Sequence, residues 1–321
     1  MKPTLLAVLM VACCALAGCG GDRGAEWVRV DGKASQTLRA IHGSGSQDIW
    51  AVGDNGMIIH WDGSAWSAVE SGTGVNLVAV HALGPRDAWA VGQDVVLRWD
   101  GTRWGRVDIG LTLTHSITGV WAAGPSDVWL AMEISGRSDL KGAGYFDGRT
   151  WYFRPFPEGV DDISEHVWGS SASDVWVTLQ YDPRLLHWSG SQWEVVSPDV
   201  NPTTRWSELG GTGGADAWAV GTSSLGMVLL RKDARGWSTV PMDGAGLQGT
   251  PSNGLWGMNG QVWLVGEDGE VARFDGSAWH QELPPDWEVP TLRDIWGASD
   301  ADLWAIGDDG FVARRTPPLS P

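Results

Sequence analysis

Residues 48–66 read DIWAVGDNGMIIHWDGSAW and bring three tryptophans into one short stretch. The whole chain has 23 tryptophans among 321 residues, so the enrichment extends well beyond this stretch. Large indole side chains serve either as core packing or as flat faces that stack on a ligand. Repetition of the stretch distinguishes the two uses, because a ligand site needs its tryptophans in one place.

The triplet Asp48-Ile49-Trp50 recurs through the whole chain at intervals of 39 to 47 residues. Its seven copies place the acidic residue and the tryptophan at Asp48 and Trp50, Asp87 and Trp89, Asp127 and Trp129, Asp174 and Trp176, Asp216 and Trp218, Gln261 (instead of Asp) and Trp263, and Asp302 and Trp304. A residue that every repeat requires is explained most simply by packing between repeats, so we predict structural roles for this series. We expect the carboxylates to accept backbone N–H bonds and to fix the turn that precedes them.

Two further signatures divide each repeat into four short runs, here named A to D in chain order. Run A is apolar, as in LRAIHG at 38–43, run B contains the triplet, run C is again apolar, and run D begins at a second tryptophan. The run D tryptophans, for which we also predict structural roles, are Trp27, Trp66, Trp104, Trp151, Trp193, Trp237 and Trp279. Gly- and Asp-rich segments at 53–56, 266–269 and 307–310 have the chemistry of turns between paired strands. The pattern predicts four β-strands in each repeat and almost no helix.

The last repeat is incomplete, and the N-terminus supplies the missing part. After run C the chain ends in TPPLSP without a run D, whereas GAEWVRV at 24–30 matches run D. A strand that completes the last sheet in this way closes a ring and removes an exposed sheet edge. Seven repeats of about 42 residues are typical of a β-propeller. We predict an all-β, seven-bladed β-propeller of four-stranded antiparallel blades over residues 26–316, monomeric, followed by a C-terminal tail at 317–321.

The first residues have the features of a targeting segment. Lys2 precedes an apolar stretch at 5–15, and Leu16-Ala17-Gly18-Cys19 resembles the lipobox of bacterial lipoproteins. The resemblance implies a signal peptide over 1–18, lipid attachment at Cys19 and a tether over 19–25, in the bacterial cell envelope. Gly20 differs from the aspartate retention signal of enteric bacteria, which favours the outer membrane. The alternative is an ordinary secretory signal in which Cys19 has no role.

Over the rest of the chain, the repeats are similar to those of the bacterial propellers with YVTN or BNR (Asp-box-like) repeats, a group that includes the photosystem-assembly-factor type. The shared features are the Gly-rich turns and the D-G-x-x-W motif. A true Asp-box has one residue between the Asp and the Gly, so this chain departs from the group's pattern. The resemblance implies the propeller fold and leaves the subfamily open.

Composition narrows the classes of partner. With 22 Lys and Arg against 39 Asp and Glu, the formal charge is −17, which argues against nucleic acid because phosphate binding needs a basic surface. All three cysteines lie within residues 1–19, so we expect no disulfide in the mature chain. We predict no cofactor and no metal site, with calcium on the Asp-rich turns as an alternative. His42 and His81 are interpreted as packed neutral side chains.

The repeats differ from one another most in the loops that connect run D to run A and run B to run C. These loops share one face of a propeller, and here they are long and dissimilar. Repeats 3 and 4 also lose the WAVG ending of run B and lengthen the B–C segment. The candidate binding residues on this face are Arg137, Asp139, Lys141, Glu158, Asp161, Asp162 and Tyr181, with Trp287 across the rim. The alternative is sequence drift in loops that bind nothing.

We predict a lipid-anchored, non-catalytic envelope protein whose loop-rich face binds a protein or a glycan. An enzyme needs a constellation of residues, and we identify no arginines that recur at one position of run A to form a cluster, only three tyrosines and no phosphate-binding loop. The alternative function is a glycan-active hydrolase or lyase using loop carboxylates such as Glu158 and Asp161. Two carboxylates about 5–10 Å apart in a concave pocket would favour that alternative.

Overall fold

The computed structural model describes residues 26–110, 115–134, 141–247, 253–282 and 288–316. These residues form seven four-stranded antiparallel sheets around a central channel. The innermost strands neighbour one another around the ring, and the last of them contacts the first. The structure therefore confirms the all-β, seven-bladed propeller. No helix within these ranges is long and apolar enough to cross a membrane.

In each blade, strands A to D follow one another from the channel to the outer rim. The first strand, β1 (Glu26–Arg29), is strand D of blade 7. Blade 1 contains β2 (Leu38–Gly45), β3 (Asp48–Gly53), β4 (Ile58–Trp61) and β5 (Trp66–Ala68), and blade 2 contains β6 (Leu77–Gly84), β7 (Asp87–Gly92), β8 (Val95–Trp99) and β9 (Trp104–Arg106). Blade 3 contains β10 (His115–Gly124), β11 (Asp127–Ile134), β12 (Gly142–Phe146) and β13 (Trp151–Pro155).

The remaining blades follow the same order. Blade 4 contains β14 (Ser164–Ser171), β15 (Asp174–Leu179), β16 (Leu185–Trp188) and β17 (Trp193–Val196), and blade 5 contains β18 (Arg205–Gly213), β19 (Asp216–Ser223), β20 (Gly226–Asp233) and β21 (Gly236–Val240). Blade 6 contains β22 (Gly254–Met258), β23 (Gln261–Val265), β24 (Val271–Phe274) and β25 (Trp279–Gln281), and blade 7 contains β26 (Leu292–Ser299), β27 (Asp302–Gly307) and β28 (Val312–Thr316). Short 3-10 turns lie at Asp54–Gly56, Glu267–Gly269 and Asp308–Gly310.

The two ends of the described chain meet in blade 7. Strand β1 pairs antiparallel with β28, with Glu26 opposite Thr316 and Arg29 opposite Ala313. The sheet order β1-β28-β27-β26 makes the N-terminal strand the outer edge of the last blade. This confirms the predicted closure of the ring.

Four B–C turns place a residue other than glycine in the left-handed backbone region, and one of these residues is Asp94 in blade 2, with φ 57°. Asn55, Asp268 and Asp309 have φ values of 55°, 52° and 55°, in blades 1, 6 and 7 respectively. Asn and Asp tolerate this region better than other residues with a side chain. Gly56 follows Asn55 with φ 70°, and a Cβ there would lie 2.0 Å from the carbonyl oxygen of Thr73. The turn chemistry predicted from the sequence is confirmed.

The tryptophans of the repeated triplet pack between adjacent blades. All seven are buried, with exposed fractions of 0 to 3%. Trp50 of blade 1 contacts Trp99 and Trp104 of blade 2, with ring centroids 4.9 and 5.1 Å apart. Trp129 of blade 3 contacts Trp188 and Trp193 of blade 4 in the same way. Edge-on and tilted indole pairs of this kind stabilise the interface beyond their buried area.

The aspartates of the triplet bond mainly to side chains, and the expected backbone N–H bond is found at Asp216, which accepts one from Gly260. Asp48 accepts a hydrogen bond from Ser44 Oγ at 2.5 Å and lies 2.8 Å from His60 Nε2. His60 is opposite Trp50 on strand C, and its ring stacks on the indole at 4.0 Å. The same link between strands B and C joins Asp87 to Arg98, Asp174 to His187 and Asp302 to Arg314. Each carboxylate thus holds the residue that covers the buried indole.

Candidate functional site

The seven A strands enclose a channel of about 900 Å³ along the axis of the ring. At one end the channel opens among the D–A loops and B–C turns, where Asn76 and Gln93 line it. This end, here called the mouth, lies on the loop-rich face that the sequence selected.

A β-bulge near the start of strand A brings two successive residues to the channel wall in six of the blades. In a regular strand successive side chains alternate between faces, whereas a bulge sets two residues against one on the partner strand. In blade 7 the register shifts between Leu292 and Asp294, and both Arg293 and Asp294 line the channel. The corresponding pairs are Glu165 with His166 in blade 4 and Ser207 with Glu208 in blade 5.

The second position of each pair gives the channel one polar wall. Blades 1, 2 and 3 carry the small residues Ala40, Ala79 and Gly119 there, and Gly254 takes the equivalent sequence position in blade 6, which has no bulge. Blades 4, 5 and 7 carry His166, Glu208 and Asp294. The small residues leave room beside three titratable side chains, so this level of the channel does not follow the repeat.

Glu208 is a carboxyl group with little hydrogen-bond support. Its Oε1 accepts a 2.9 Å bond from the backbone N–H of Leu209 and lies 3.7 Å from His166 Nδ1. Burial raises the pKa of Glu208 to about 7. Burial also lowers the pKa of His166, so the imidazole is neutral at pH 7 and supplies no full counter-charge. Glu208 therefore titrates near neutral pH.

Asp294 joins the polar wall to the ring closure. Its Oδ2 accepts a 2.8 Å hydrogen bond from the backbone N–H of Ile41 in blade 1, and its Oδ1 accepts one from Ile295 at 2.7 Å. A Cβ on Gly254 would lie 2.5 Å from the Cα of Asp294 and 2.9 Å from Oδ1, so the glycine makes space for the carboxylate. Burial and the nearby charge of Glu208 raise the pKa of Asp294 well above its usual range.

Two arginines flank the mouth. Arg39 and Arg293 occupy the same bulge position in blades 1 and 7, so an arginine does recur in strand A. Each forms a two-pronged ion pair with the B–C turn of its own blade, Arg39 with Asp54 and Arg293 with Asp308. Both arginines are thus already paired within their own blades, and two such residues do not form an arginine cluster.

Below the polar wall, aromatic rings line the channel in six blades. They are His42, His81, Trp121, Trp168, Trp256 and Trp296, and Gly210 leaves a gap in blade 5. The rings of His42 and His81 stack with centroids 4.1 Å apart, and His42 Nδ1 accepts a bond from the backbone N–H of Ala82. Burial lowers the pKa of His81 to about 4 and that of His42 well below its usual range. Both side chains are packed and neutral, as expected from their place in the repeat.

Four loop residues chosen from the sequence lie together between blades 3 and 4. Asp162 Oδ2 accepts a 2.6 Å bond from the backbone N–H of Tyr181, and Glu158 and Asp161 are exposed on the same D–A loop. Lys141 is half-buried before β12, where its carbonyl oxygen accepts a bond from Phe156. Arg137, Asp139 and Trp287, like Cys19, fall outside the described residues.

Two large, largely apolar side chains are exposed on the face of the ring that carries the mouth. Tyr181 and Leu225, exposed by 63% and 85%, lie in the B–C connections of the neighbouring blades 4 and 5. The guanidinium of Arg205 lies 5.4 Å from the centre of the Tyr181 ring. Arg205 begins β18, the strand that carries Glu208 three residues later. Exposed Tyr and Leu beside an Arg have the composition of protein contact sites.

Sequence reasoning chose Tyr181 but missed Glu208, Asp294 and His166. The available signal was the third residue of run A, which is Ala or Gly in four repeats and charged or ionisable in three. Within the parts of the chain that the structure describes, no group of three His, Cys, Asp or Glu residues is placed to hold a metal ion.

No protein-family model matches the sequence, and no curated protein matches it. Solved propellers match nearly the whole chain. YCF48 bound to a D1 peptide superposes with a TM-score of 0.67 at 17% identity, over 92% of this chain and 98% of that one. A streptogramin B lyase gives a TM-score of 0.71 at 13% identity, over 91% and 97%. A catalytically inactive virginiamycin B lyase from Staphylococcus aureus with quinupristin gives 0.73 at 10% identity, over 91% and 99%. At these identities the likeness establishes the fold.

Proposed function

We propose that this chain is a lipid-anchored, non-catalytic propeller of the bacterial envelope that binds a protein segment at the mouth of its channel. The observation that carries the proposal is the combination, at one end of the ring, of an open channel with a polar wall and two exposed apolar side chains, Tyr181 and Leu225. The blade interfaces repeat the same tryptophan contacts, whereas the channel wall changes from blade to blade. Function is expected where the repeat is broken.

The comparison with YCF48 supports a peptide ligand in general terms. That protein has the same fold and is bound to a D1 peptide. A protein segment also suits the chemistry of this mouth better than a sugar, because buried carboxylates and exposed Tyr and Leu match basic and apolar side chains. A glycan remains the other outcome of a binding test.

The anchor suggests an orientation. Strand β1 begins on the face of the C–D turns, and only seven residues separate Cys19 from Trp27. Such a tether spans at most about 25 Å, so the C–D face would lie toward the membrane and the mouth away from it. Antibodies to residues 133–144 should therefore bind to oriented vesicles that carry the protein. Protection of that loop, with access to the C–D turns, would reverse the orientation.

Site-specific cross-linking tests the binding function. A photoreactive amino acid at Leu225 should form discrete adducts with a protein partner in intact cells. The matched control places the same group at Val195, an exposed position on the outer strand of blade 4. Adducts at both positions to the same extent, or at neither, would contradict binding at the mouth.

A glycan-active hydrolase or lyase is the second candidate, and a specific observation favours it. Glu208 and Asp294 interact electrostatically within a concave channel, and the neutral His166 lies beside Glu208. Two carboxyl groups of different pKa can divide the roles of acid and base. Release of new reducing or unsaturated ends from polysaccharides, lost in Glu208→Gln, would establish this activity. Any activity that survives both Glu208→Gln and Asp294→Asn would come from elsewhere.

A further inference from the structure

We infer that the segment bound at the mouth presents a Lys or Arg side chain, which enters the channel between Glu208 and Asp294 while a neighbouring apolar side chain contacts Tyr181 and Leu225. This inference rests on the proposed function and specifies the chemistry of its partner.

The balance of charge in the channel points to a cation. Glu165, Glu208 and Asp294 all line the wall. The two arginines at the mouth are already paired with Asp54 and Asp308. The three histidines that line the channel have lowered pKa values and carry no charge at neutral pH. Within the described residues, the acidic wall is therefore left without a full positive charge of its own.

Glu165 provides a second, independent indication. Its Oε2 atom is fully buried and has no hydrogen-bond partner among the described residues. A buried carboxylate oxygen without a partner is costly, and a native structure usually supplies one. Glu165 therefore adds an unpartnered carboxylate oxygen to the wall that carries Glu208 and Asp294.

The channel also suits the non-polar part of such a side chain. Gly210 lies two residues beyond Glu208 and opens the aromatic lining in blade 5, between Trp168 of blade 4 and Trp256 of blade 6. Aromatic faces attract ammonium and guanidinium groups and pack against their aliphatic stems. An organic cation fits this lining better than a metal ion, because the described side chains form no metal-binding group of three.

The spacing of the two contact areas fits a short extended segment. Tyr181 lies over Arg205, and Glu208 follows three residues later on β18. At the rise of a β-strand this separation is about 10 Å. Two nearby side chains of one peptide can cover that distance, one on the rim and one in the channel.

Selection from a random peptide library tests the inference with the full chain purified in detergent. Peptides displayed on phage and retained by the protein should carry a Lys or Arg close to an apolar residue. Glu208→Gln keeps the acceptor for the Leu209 N–H, removes the charge and should weaken these peptides by about thirty-fold or more. Glu208→Lys should abolish their binding.

The matched control is Asp309→Asn. Asp309 is exposed on a B–C turn of the same face, and Asn55 already occupies the equivalent turn position in blade 1 with the same backbone conformation. This variant removes one negative charge outside the channel and should leave peptide binding unchanged. Equal weakening by Asp309→Asn and Glu208→Gln would show a general charge effect and overturn the inference.

The outcomes separate the inference from the proposed function. Selected peptides whose binding depends on Leu225 could lack a basic residue, or could bind Glu208→Gln as tightly as the unmodified protein. Either result would overturn the inference of a basic side chain and leave binding at the mouth intact. Failure to select any peptide would overturn both the inference and the proposed function. Binding that is unchanged in both Leu225→Ser and Tyr181→Ser would do the same.

The pH dependence gives a readout that a merely structural role would not produce. A bound cation favours ionised Glu208, so binding should release protons and strengthen as the pH rises from about 6 to 8. The same peptides should lose most of this dependence in Glu208→Gln. A pH profile unchanged by the substitution would contradict the inference.

Discussion

The Oδ2 atom of Asp294 in blade 7 accepts a 2.8 Å hydrogen bond from the backbone N–H of Ile41 in blade 1. One side chain of the channel therefore also links the last blade to the first. The ring is joined at its inner edge by this bond and at the outer edge of blade 7 by the pairing of β1 with β28. Changes near Asp294 should affect both the stability of the ring and the character of the channel.

Gly254→Ala should destabilise the protein by about 1–3 kcal/mol, because the added Cβ would overlap the backbone of Asp294. Equilibrium unfolding in urea, followed by circular dichroism, measures the change. Gly74→Ala is the matched control, since a Cβ at Gly74 meets no atom within 4 Å. Equal stability of the two variants would mean that blade 6 moves away from the added Cβ at little cost and does not confine Asp294.

Glu208→Gln should become more stable relative to the unmodified protein as the pH rises. Burial raises the pKa of Glu208 from 4.5 to about 7, so the folded protein binds more protons than the unfolded chain between these values. Stability is therefore lost as the pH increases through this window. The pH-dependent part of this advantage should grow to about 3 kcal/mol by pH 8 and vanish below pH 4.5. Glu158→Gln, at an exposed loop position, should show no such trend in urea unfolding measured across this range.

Trp304→Ala should cost about 3–5 kcal/mol of unfolding free energy, the usual range for a large buried aromatic residue. Trp304 is fully buried and contacts Trp61 and Trp66 of blade 1, with ring centroids 4.8 and 5.3 Å apart. Tyr152→Ala, at a half-exposed ring, is the comparison and should cost far less. Thermal and urea unfolding of both variants measure the difference. Similar losses of unfolding free energy would contradict a role of the Trp304 indole in packing between blades.

Val28→Pro should loosen β1 and expose the edge of β28. Val30 donates its N–H to Val312, so the alternation of a strand directs the Val28 N–H to β28 as well. Proline removes that donor, and the freed edge should promote aggregation. Arg29→Pro is the control because its N–H points away from β28. Light scattering during mild heating should rise for Val28→Pro well before Arg29→Pro; the reverse order would place the critical bonds elsewhere.

The architecture could be predicted because its signals repeat. Trp50 and its six equivalents occupy the same position in each repeat. Seven copies of one strand pattern also identify the strands more clearly than a single copy would. The closure of the ring could also be predicted, because the segment around Trp27 matches the run D that the last repeat lacks. The partners of Asp48 could not be read in this way, because cross-strand neighbours such as His60 depend on register.

The channel site was not predicted, because the repeat pattern by itself does not indicate it. Run A reads as a short apolar segment, and simple alternation would place Arg293 and Asp294 on opposite faces. The bulge brings both to the channel, and a bulge leaves no reliable mark in one sequence. Burial then changes the chemistry of Glu208, which in the sequence is one acidic residue among 39 Asp and Glu.

The closing sheet has a mechanical consequence. Strand β1 begins on the face of the C–D turns and pairs with β28 along its length. A pull on its first residue along the strand would load the pairs from Glu26–Thr316 to Arg29–Ala313 together, in shear rather than one at a time. The sheet that completes the ring is thus also the joint that would bear tension between an anchored N-terminus and a segment held at the mouth.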